Sequence, residues 1–331
     1  MSYYVRRISF YVLTLCAAVS LNFLLPRLMP GDPRIIFIEK VQRAGGEITP
    51  ALLNSIDTIF GADDSPLWSQ YITYWGNIFT GDLGVSSSMF PAPVSSLITA
   101  ALPWTIGLVG IATVIAFVLG IALGAYAGWK RGTAADGIIP TMTLLQSLPY
   151  FWLALVFVSV FSVSLGLFPI IGGYSLREFY GGPEWSWAFV QSVIYHGLLP
   201  ALTVIVASVG GWVLGMRNMM VSVMSEDYVT TAEAKGLRPS RIFFWYAGRN
   251  AALPSLASMG ITLGFVVAGS VVMERVFSYP GIGRLLISAV QDQDFALMQG
   301  VFLVITVTVL LANFIMDLIY GFIDPRVRSN A

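Results

Sequence analysis

Side chains able to do acid–base, nucleophilic or metal chemistry are few and scattered along this chain. His196 is the sole histidine and Cys16 the sole cysteine, so a histidine-based metal cluster and an intrachain disulfide are excluded, and no catalytic constellation is visible. Cys16 follows Leu15, which is too large for the small residue that precedes a lipid-attachment cysteine. We predict that His196 lies at the entrance of a membrane span, and that the chain is not an enzyme.

Two polar pairs lie in or beside apolar segments. Asn313 and Asp317 are one helical turn apart, and an intramembrane carboxylate is a functional candidate. Because Asp317 lies near the end of its segment, we favour a salt bridge or a solvated end. Glu274 and Arg275 form either a gate or a mutual ion pair, and we favour the pair. Neither pair supplies the mid-membrane acidic groups typical of a secondary transporter.

The composition is that of a membrane protein. Of 331 residues, 56% are hydrophobic and 11% charged, whereas soluble domains carry about 25% charged residues. The net charge of +0 argues against a nucleic-acid partner. Apolar segments near the 20-residue length of a transmembrane helix are 8–25, 102–127, 138–168, 197–220, 254–273 and 298–322. We therefore predict an all-α membrane protein with six transmembrane helices.

Prolines and polar stretches divide the chain further. Pro140 and Pro149 interrupt the third segment, so a lead-in or kink should precede a main span at 151–167. Residues 1–30 are predicted to be a retained transmembrane helix rather than a cleaved signal peptide. The following region, 31–100, is extracytoplasmic in this prediction. Residues 101–331 should form a five-helix core with a cytoplasmic loop at 221–254.

Aromatic spacing in the region 31–100 leaves two interpretations open. Trp68, Tyr71 and Trp75 fall at i, i+3 and i+7, which is typical of an amphipathic helix lying on the membrane. A small packed extramembrane subdomain explains the same pattern.

The distribution of cations sets the expected orientation. With both termini cytoplasmic, the inner side holds Arg6, Arg7, Lys130, Arg131, Arg217, Lys235, Arg238, Arg241, Arg249, Arg326 and Arg328. The outer side holds Arg27, Arg34, Lys40, Arg43, Arg177, Arg275 and Arg284, of which the first four flank or occupy the long polar region where the positive-inside rule weakens. We predict cytoplasmic termini and a cytoplasmic 226–254 stretch.

The stretch 226–254 is polar and basic between two apolar segments. Ser225 suits an N-cap, Gly236 suits a helix end and Pro239 a second helix start, which predicts a helix of roughly ten residues. Val229, Ala232 and Gly236 share one small, smooth face that another protein could approach closely. A plain connector between two spans is the alternative.

Glycines four residues apart indicate where helices pack closely. Gly120 and Gly124 share one helix face, as do Gly260 and Gly264. Close helix packing is the expected role, and a mobile packing surface is the functional alternative.

An ordered set of motifs resembles binding-protein-dependent ABC importer permeases, and more narrowly the B-type permease of the dipeptide/oligopeptide branch. The set extends over nearly the whole chain: 30–33 Pro-Gly-Asp-Pro, 81–84 Gly-Asp-Leu-Gly, 149–154 Pro-Tyr-Phe-Trp-Leu-Ala, 225–229 Ser-Glu-Asp-Tyr-Val, 231–237 Thr-Ala-Glu-Ala-Lys-Gly-Leu, 249–254 Arg-Asn-Ala-Ala-Leu-Pro, 276–284 Val-Phe-Ser-Tyr-Pro-Gly-Ile-Gly-Arg and 324–326 Asp-Pro-Arg.

The resemblance implies a type I ABC importer permease fold and two functional regions. The ATPase-coupling loop would comprise Thr230, Thr231, Ala232, Glu233, Ala234, Lys235, Gly236 and Leu237. The family pattern places a glutamate near the position that Thr230 occupies here. The outer mouth, facing a solute-binding protein, would include Glu274, Arg275, Tyr279, Gly281 and Gly283.

The resemblance also implies the partners and the location. These are a second homologous permease in a heterodimer, two cytoplasmic ATPase subunits, an extracytoplasmic solute-binding protein and the lipid of a prokaryotic plasma membrane. We expect no cofactor in this chain, because it lacks a phosphate-binding loop; ATP and Mg²⁺ would bind the ATPases. The substrate would be di- or oligopeptides, with oligosaccharides of the cello- or manno-type or nickel complexes as alternatives, and an ion-coupled secondary transporter as the other class.

Overall fold

The computed structural model describes residues 3–28, 33–43, 45–60, 65–269 and 271–323. Within these ranges the chain is built from helices, and an isolated β-bridge joins Val85 and Pro93. Residues 30–32 and the C-terminal 324–326 motif lie outside the described residues, as do the side chains of 264–269.

The helices follow one another along the chain with short connections. The first group comprises α1 Tyr3–Leu28, α2 Pro33–Arg43, α3 Pro50–Phe60, α4 Leu67–Thr80, α5 Val94–Trp129, α6 Ala134–Ser147 and α7 Tyr150–Ser164. The second comprises α8 Trp187–Met224, α9 Asp227–Ala234, α10 Arg249–Gly269, α11 Val271–Val276, α12 Ile282–Gln291 and α13 Phe295–Ile323. The short helix Pro239–Arg241 and the π-helical turn Ile242–Gly248 lead into α10.

Several helices are long and apolar enough to cross a membrane. Among the described residues these are four, namely α5, α8 and the Val5–Leu25 and Phe295–Ile319 parts of α1 and α13. A fifth is obtained if α6 and α7, which are bent by 96°, form one broken span. Pro149 caps α7 at this bend, which confirms the predicted kink. The predicted segment 254–273 falls on α10 and α11, on either side of residue 270, which is not described.

The structure corrects the start of the fourth predicted segment. Helix α8 begins at Trp187, ten residues before the predicted 197, because the Ser186 hydroxyl caps it by accepting a 3.2 Å hydrogen bond from the Phe189 amide. His196 therefore lies within α8, and its place at the entrance of a membrane span stays a prediction. Its Nδ1 is 2.8 Å from the Ser192 carbonyl oxygen.

The contacts divide the chain into two compact units. The first comprises 1–103 and 281–310, and the second 104–280 and 311–331. In the first unit, α4 packs on α1: the hydroxyls of Ser20 and Tyr71 are 2.7 Å apart, and the rings of Phe23 and Tyr71 meet edge to face at 5.2 Å. Trp68 stays exposed, although its ring lies 5.8 Å from that of Tyr71 on the same face of α4. The domain division expected from the sequence stays a prediction.

In the second unit, a row of glycines on α5 allows this helix to pack closely against α8. A Cβ on Gly124 would lie 2.5 Å from the Val213 carbonyl oxygen, and one on Gly128 would lie 2.7 Å from Met220 Cβ. Both distances are too short for real atoms, so the two backbones approach as only glycine permits. Gly120 meets α8 in the same way, and Gly260 of α10 meets α13. Close packing is thus confirmed at these positions.

Candidate functional site

The hairpin between α8 and α10 begins one residue later than the sequence predicted. Helix α9 has eight residues and its N-cap is Glu226. Ser225 instead ends α8, and its hydroxyl donates a 2.7 Å hydrogen bond to the Ser222 carbonyl. The predicted Ser225 cap is therefore wrong, because the two helices follow so closely that this serine serves the first. Asp227 in the first turn complements the positive end of the α9 dipole.

Helix α9 ends in a Schellman turn built on Gly236. The Gly236 amide donates to the Glu233 carbonyl at 2.8 Å, and the Leu237 amide donates to the Ala232 carbonyl at 3.3 Å. Gly236 has a φ of +71°, a conformation that costs an L-residue about 1–2 kcal/mol. A Cβ there would meet no atom within 4 Å. The glycine predicted to end the helix is thus required by the backbone angle and not by space.

The small face of α9 points into the protein. Val229 is 0% and Ala232 2% exposed, and both belong to a buried cluster with Met216 and Met220 of α8. Ile242 and Ala247 of the π-helical turn and Ala251 of α10 also belong to this cluster. The prediction that this face lies open to another protein is wrong for Val229 and Ala232, whereas Gly236, its third residue, is exposed. The apolar spacing identified a packing face, but α9 buries it on the ends of its own spans.

The opposite face of α9 is exposed. It presents Thr230, Thr231, Glu233, Ala234, Lys235 and Gly236, with Leu237 half-buried. The Thr231 hydroxyl donates to the Asp227 carbonyl at 2.7 Å, and the Thr230 hydroxyl lies 3.1 Å from the carbonyls of Glu226 and Asp227. Since both hydroxyls bond to the helix itself, the surface offered to a partner is shallow.

Two contacts brace the hairpin and its surroundings. The rings of Trp129 at the end of α5 and Phe243 in the π-helical turn meet edge to face at 5.4 Å. Arg217 of α8 forms a 2.9 Å ion pair with Asp136 at the start of α6. Asp136 was not singled out in the sequence, because nothing in its spacing connects it to a residue so distant along the chain.

Of the predicted outer-mouth residues, Glu274, Tyr279, Gly281 and Gly283 are buried, whereas Arg275 is exposed. Glu274 accepts a 2.7 Å hydrogen bond from the hydroxyl of Thr105, which is also fully buried. Glu274 and Arg275, adjacent on α11, point about 100° apart. Four of the five residues predicted to form the outer mouth are thus buried, each within its own unit, and their role stays a prediction.

Tyr279 anchors an aromatic cluster in the second unit. Its ring meets Trp104 edge to face at 5.7 Å, and Trp104 stacks on Tyr174 at 5.7 Å. Burial, with a smaller effect of the Glu274 charge, raises the pKa of Tyr279 to about 12. Tyr279 thus stays neutral at physiological pH and serves as a packing group. Gly281 and Gly283 belong to the first unit, where Gly281 caps α12.

Asp294 is a buried carboxylate that the sequence analysis missed. It is 0% exposed in the first unit and accepts hydrogen bonds from the Ser86 hydroxyl at 2.5 Å and from the Ser88 hydroxyl at 2.7 Å. It also caps α13 by accepting from the Leu297 amide at 3.0 Å. Burial tends to raise the pKa of Asp294, but these hydrogen bonds outweigh it and lower the pKa below its usual value. Asp294 thus fixes the 81–88 loop to the start of α13.

The remaining polar pair carries no assigned role. Asn313 and Asp317 are half-buried on successive turns of α13, and the salt-bridge interpretation stays a prediction. Among the described residues, no group of three or more His, Cys, Asp or Glu side chains could hold a metal ion.

The part of the sequence that contains the hairpin matches one family of transport proteins. Residues 120–329 match the binding-protein-dependent transport system inner membrane component. The chain belongs to this family. As such an inner-membrane component it is a multi-pass protein of the plasma membrane, and the matched range contains both α9 and the Glu274 region.

Relatives of this inner-membrane component align with it from end to end. The di/tripeptide transport system permease protein DppB of Pseudomonas aeruginosa is 33% identical over 341 residues, covering 99% of each chain. The oligopeptide transport system permease protein AppB of Bacillus subtilis is 30% identical over 329 residues, again covering 99% of each. The dipeptide transport system permease protein DppB of Escherichia coli is 31% identical over 344 residues, with the same coverage.

Proposed function

We propose that this inner-membrane component is the permease subunit of an ATP-driven importer that takes up di- or oligopeptides delivered by a solute-binding protein. The peptide substrate is supported by the names of relatives that match the whole chain. The proposal includes six spans, both termini in the cytoplasm and no enzymatic activity in this chain. Two cytoplasmic ATPase subunits would bind ATP and Mg²⁺, and a second homologous permease would complete a heterodimer.

The observation that carries this proposal is the two-faced helix α9. Its inner face is buried against Met216, Met220 and Val223 at the end of α8, and its outer face is open. A displacement of α9 by an ATPase would therefore be passed to α8 and, through Ala251, to α10. Because these side chains are closely packed, α9 and the ends of α8 and α10 would move together as a rigid body. Closure of the ATPases on ATP would then open the pore outward, and hydrolysis would reset it.

Uptake by the reconstituted complex tests the proposal. The permease pair, the ATPases and the binding protein are placed in proteoliposomes and offered labelled dipeptides, oligopeptides, cello-oligosaccharides or nickel complexes. We expect uptake of peptides that needs ATP and the binding protein and survives collapse of the ion gradient. Uptake of an oligosaccharide or nickel complex in place of peptide would overturn the substrate. Uptake that stops with the ion gradient while ATP is maintained would overturn the transport class.

A further inference from the structure

An open cleft beside α9 is lined by two arginines and three aromatic residues. Its lining residues are Ser240, Arg241, Phe244, Trp245, Tyr246 and Arg249. The cleft measures about 790 Å³, within the 300–1,000 Å³ typical of small-molecule sites. It has no acidic residue in its lining. The coupling role of α9 does not use it, since the predicted coupling residues end at Leu237.

Both arginines are unpaired within the described part of the chain. Neither the Arg241 nor the Arg249 side chain has a hydrogen bond or an ion pair with any described residue, and both are exposed. Arg217, by contrast, forms an ion pair with Asp136. Two unpaired guanidinium groups on one cleft favour an anion, and their planar forks fit phosphate oxygens especially well. Ser240 adds a hydroxyl donor.

The cleft lies at the level where a candidate span ends. Ile242 and Ala247, on the back of the same π-helical turn, are buried with Met220 and Val223 from the last turns of α8. Phe244 and Trp245, on its front, are 65% and 68% exposed. Exposed aromatic rings beside arginines at a span end are typical of the membrane–water interface. The charge and the depth together indicate the headgroup region of a bilayer.

We propose that this cleft binds the phosphate headgroup of an anionic phospholipid in the leaflet on the hairpin's side. Arg241 and Arg249 hold the phosphate, while Trp245 and Phe244 lie among the glycerol and upper acyl-chain groups. Basic pockets of this kind beside transmembrane helices bind anionic lipids. Because the back of the turn packs against the cluster that also holds Val229 and Ala232, a bound lipid would stabilise the hairpin on its inner side and leave the exposed face of α9 free.

Photo-crosslinking of the assembled complex in phosphatidylcholine nanodiscs tests this site. Phosphatidylglycerol carrying a photoreactive acyl group is added, and adducts are mapped to peptides by mass spectrometry. We expect an adduct on the peptide containing residues 240–249, and a much weaker one with a phosphatidylcholine probe bearing the same group. The double variant Arg241→Gln/Arg249→Gln should lose about tenfold or more of the adduct. Arg238→Gln removes an exposed cation that does not line the cleft, and should leave the adduct unchanged.

Further measurements distinguish a bound lipid from other ligands of the cleft. Arg241→Lys/Arg249→Lys keeps the charge but loses the fork, and should fall between wild type and the glutamine variant. An excess of inorganic phosphate should not displace the probe; full displacement would assign the site to a soluble anion. Equal labelling by both lipid probes, or an unchanged adduct in the glutamine variant, would overturn the proposal. The proposal would also be overturned if a photoreactive amino acid in place of Trp245 labelled an ATPase subunit instead of lipid.

Discussion

The hydroxyl of Thr105 donates a 2.7 Å hydrogen bond to Oε1 of Glu274, and both side chains are fully buried. This bond joins α5, immediately before its π-helical turn at Ile106–Gly110, to α11. A carboxylate in an apolar setting depends strongly on each hydrogen bond it accepts. The pair therefore holds α5 to α11, the helix that carries the predicted outer-mouth residue Glu274.

Replacing the Thr105 hydroxyl tests the value of this bond. Thr105→Val keeps the shape of the side chain but removes the donor, so we expect a loss of about 1–3 kcal/mol in stability. Thr105→Ser retains the donor and should lose less. The measurement is the thermal unfolding of the assembled complex in detergent. Unfolding of the valine variant at the wild-type temperature would show that the bond contributes little.

The positive φ of Gly236 predicts a specific coupling defect. Gly236→Val should strain the Schellman turn and displace Leu237, so that binding-protein-stimulated ATPase activity of the reconstituted complex falls sharply. Gly132→Val is a matched control, because Gly132 also has a positive φ, +77°, and open space around it. It should cost similar stability and leave coupling intact. Equal losses of coupling in both variants, or none in Gly236→Val, would contradict a special role for this turn.

The close approach of α5 and α8 predicts that one added methyl group is harmful. Gly124→Ala places its Cβ 2.5 Å from the Val213 carbonyl oxygen, and overpacking of this kind costs about 1–3 kcal/mol. Gly215→Ala, on α8 with nothing within 4 Å, should be neutral or gain up to about 1 kcal/mol from its better helix propensity. The measurement is the unfolding temperature of the two variant complexes compared with wild type. A Gly124→Ala complex as stable as wild type would contradict the close approach of α5 and α8.

The lowered pKa of Asp294 predicts how the stability of the protein depends on pH. Its folded-state pKa lies below the unfolded value of about 3.9. The carboxylate therefore contributes its full stabilisation above the unfolded pKa and loses it as pH falls through the folded pKa. Wild type should unfold at a higher temperature than Asp294→Asn down to about pH 5, and the difference should shrink below about pH 4. A difference that is constant from pH 7 to pH 3 would exclude this linkage.

A neighbouring carboxylate supplies the control for this titration. Asp292 is exposed two residues away, so Asp292→Asn removes a surface charge but none of the side-chain hydrogen bonds to Ser86 and Ser88. If the unfolding temperatures of Asp292→Asn and wild type differed by a similar, pH-dependent amount, the effect would come from surface charge and not from the hydrogen bonds to Ser86 and Ser88.

Local chemistry explains which parts of the fold could be predicted from the sequence. Apolar length identified most of the helices that could cross a membrane, Pro149 the bend between α6 and α7, and the pair Gly120 and Gly124 a close helix contact. Gly236 marked the end of α9 because few other residues adopt its backbone angle. Each of these signals lies within one helix or at its end.

Partners distant in sequence could not be predicted in the same way. The spacing of Val229 and Ala232 identified a small, smooth face but did not reveal that it is buried on α8. The bonds from Thr105 to Glu274 and from Ser86 to Asp294 span 169 and 208 residues, and a single carboxylate beside apolar residues does not reveal its donor. Most of the predicted outer-mouth residues are buried. The motif alone could not distinguish residues that pack inside the protein from residues on its surface.

Crosslinking from the exposed face of α9 tests the central claim most directly. A photoreactive amino acid at Ala234 is compared with one at Trp185, which is 103% exposed in the loop assigned to the other side of the membrane. Ala234 should yield an adduct with the cytoplasmic ATPase subunit in the assembled complex, and Trp185 should yield none. An ATPase adduct at Trp185 and not at Ala234 would contradict the orientation and the coupling role together.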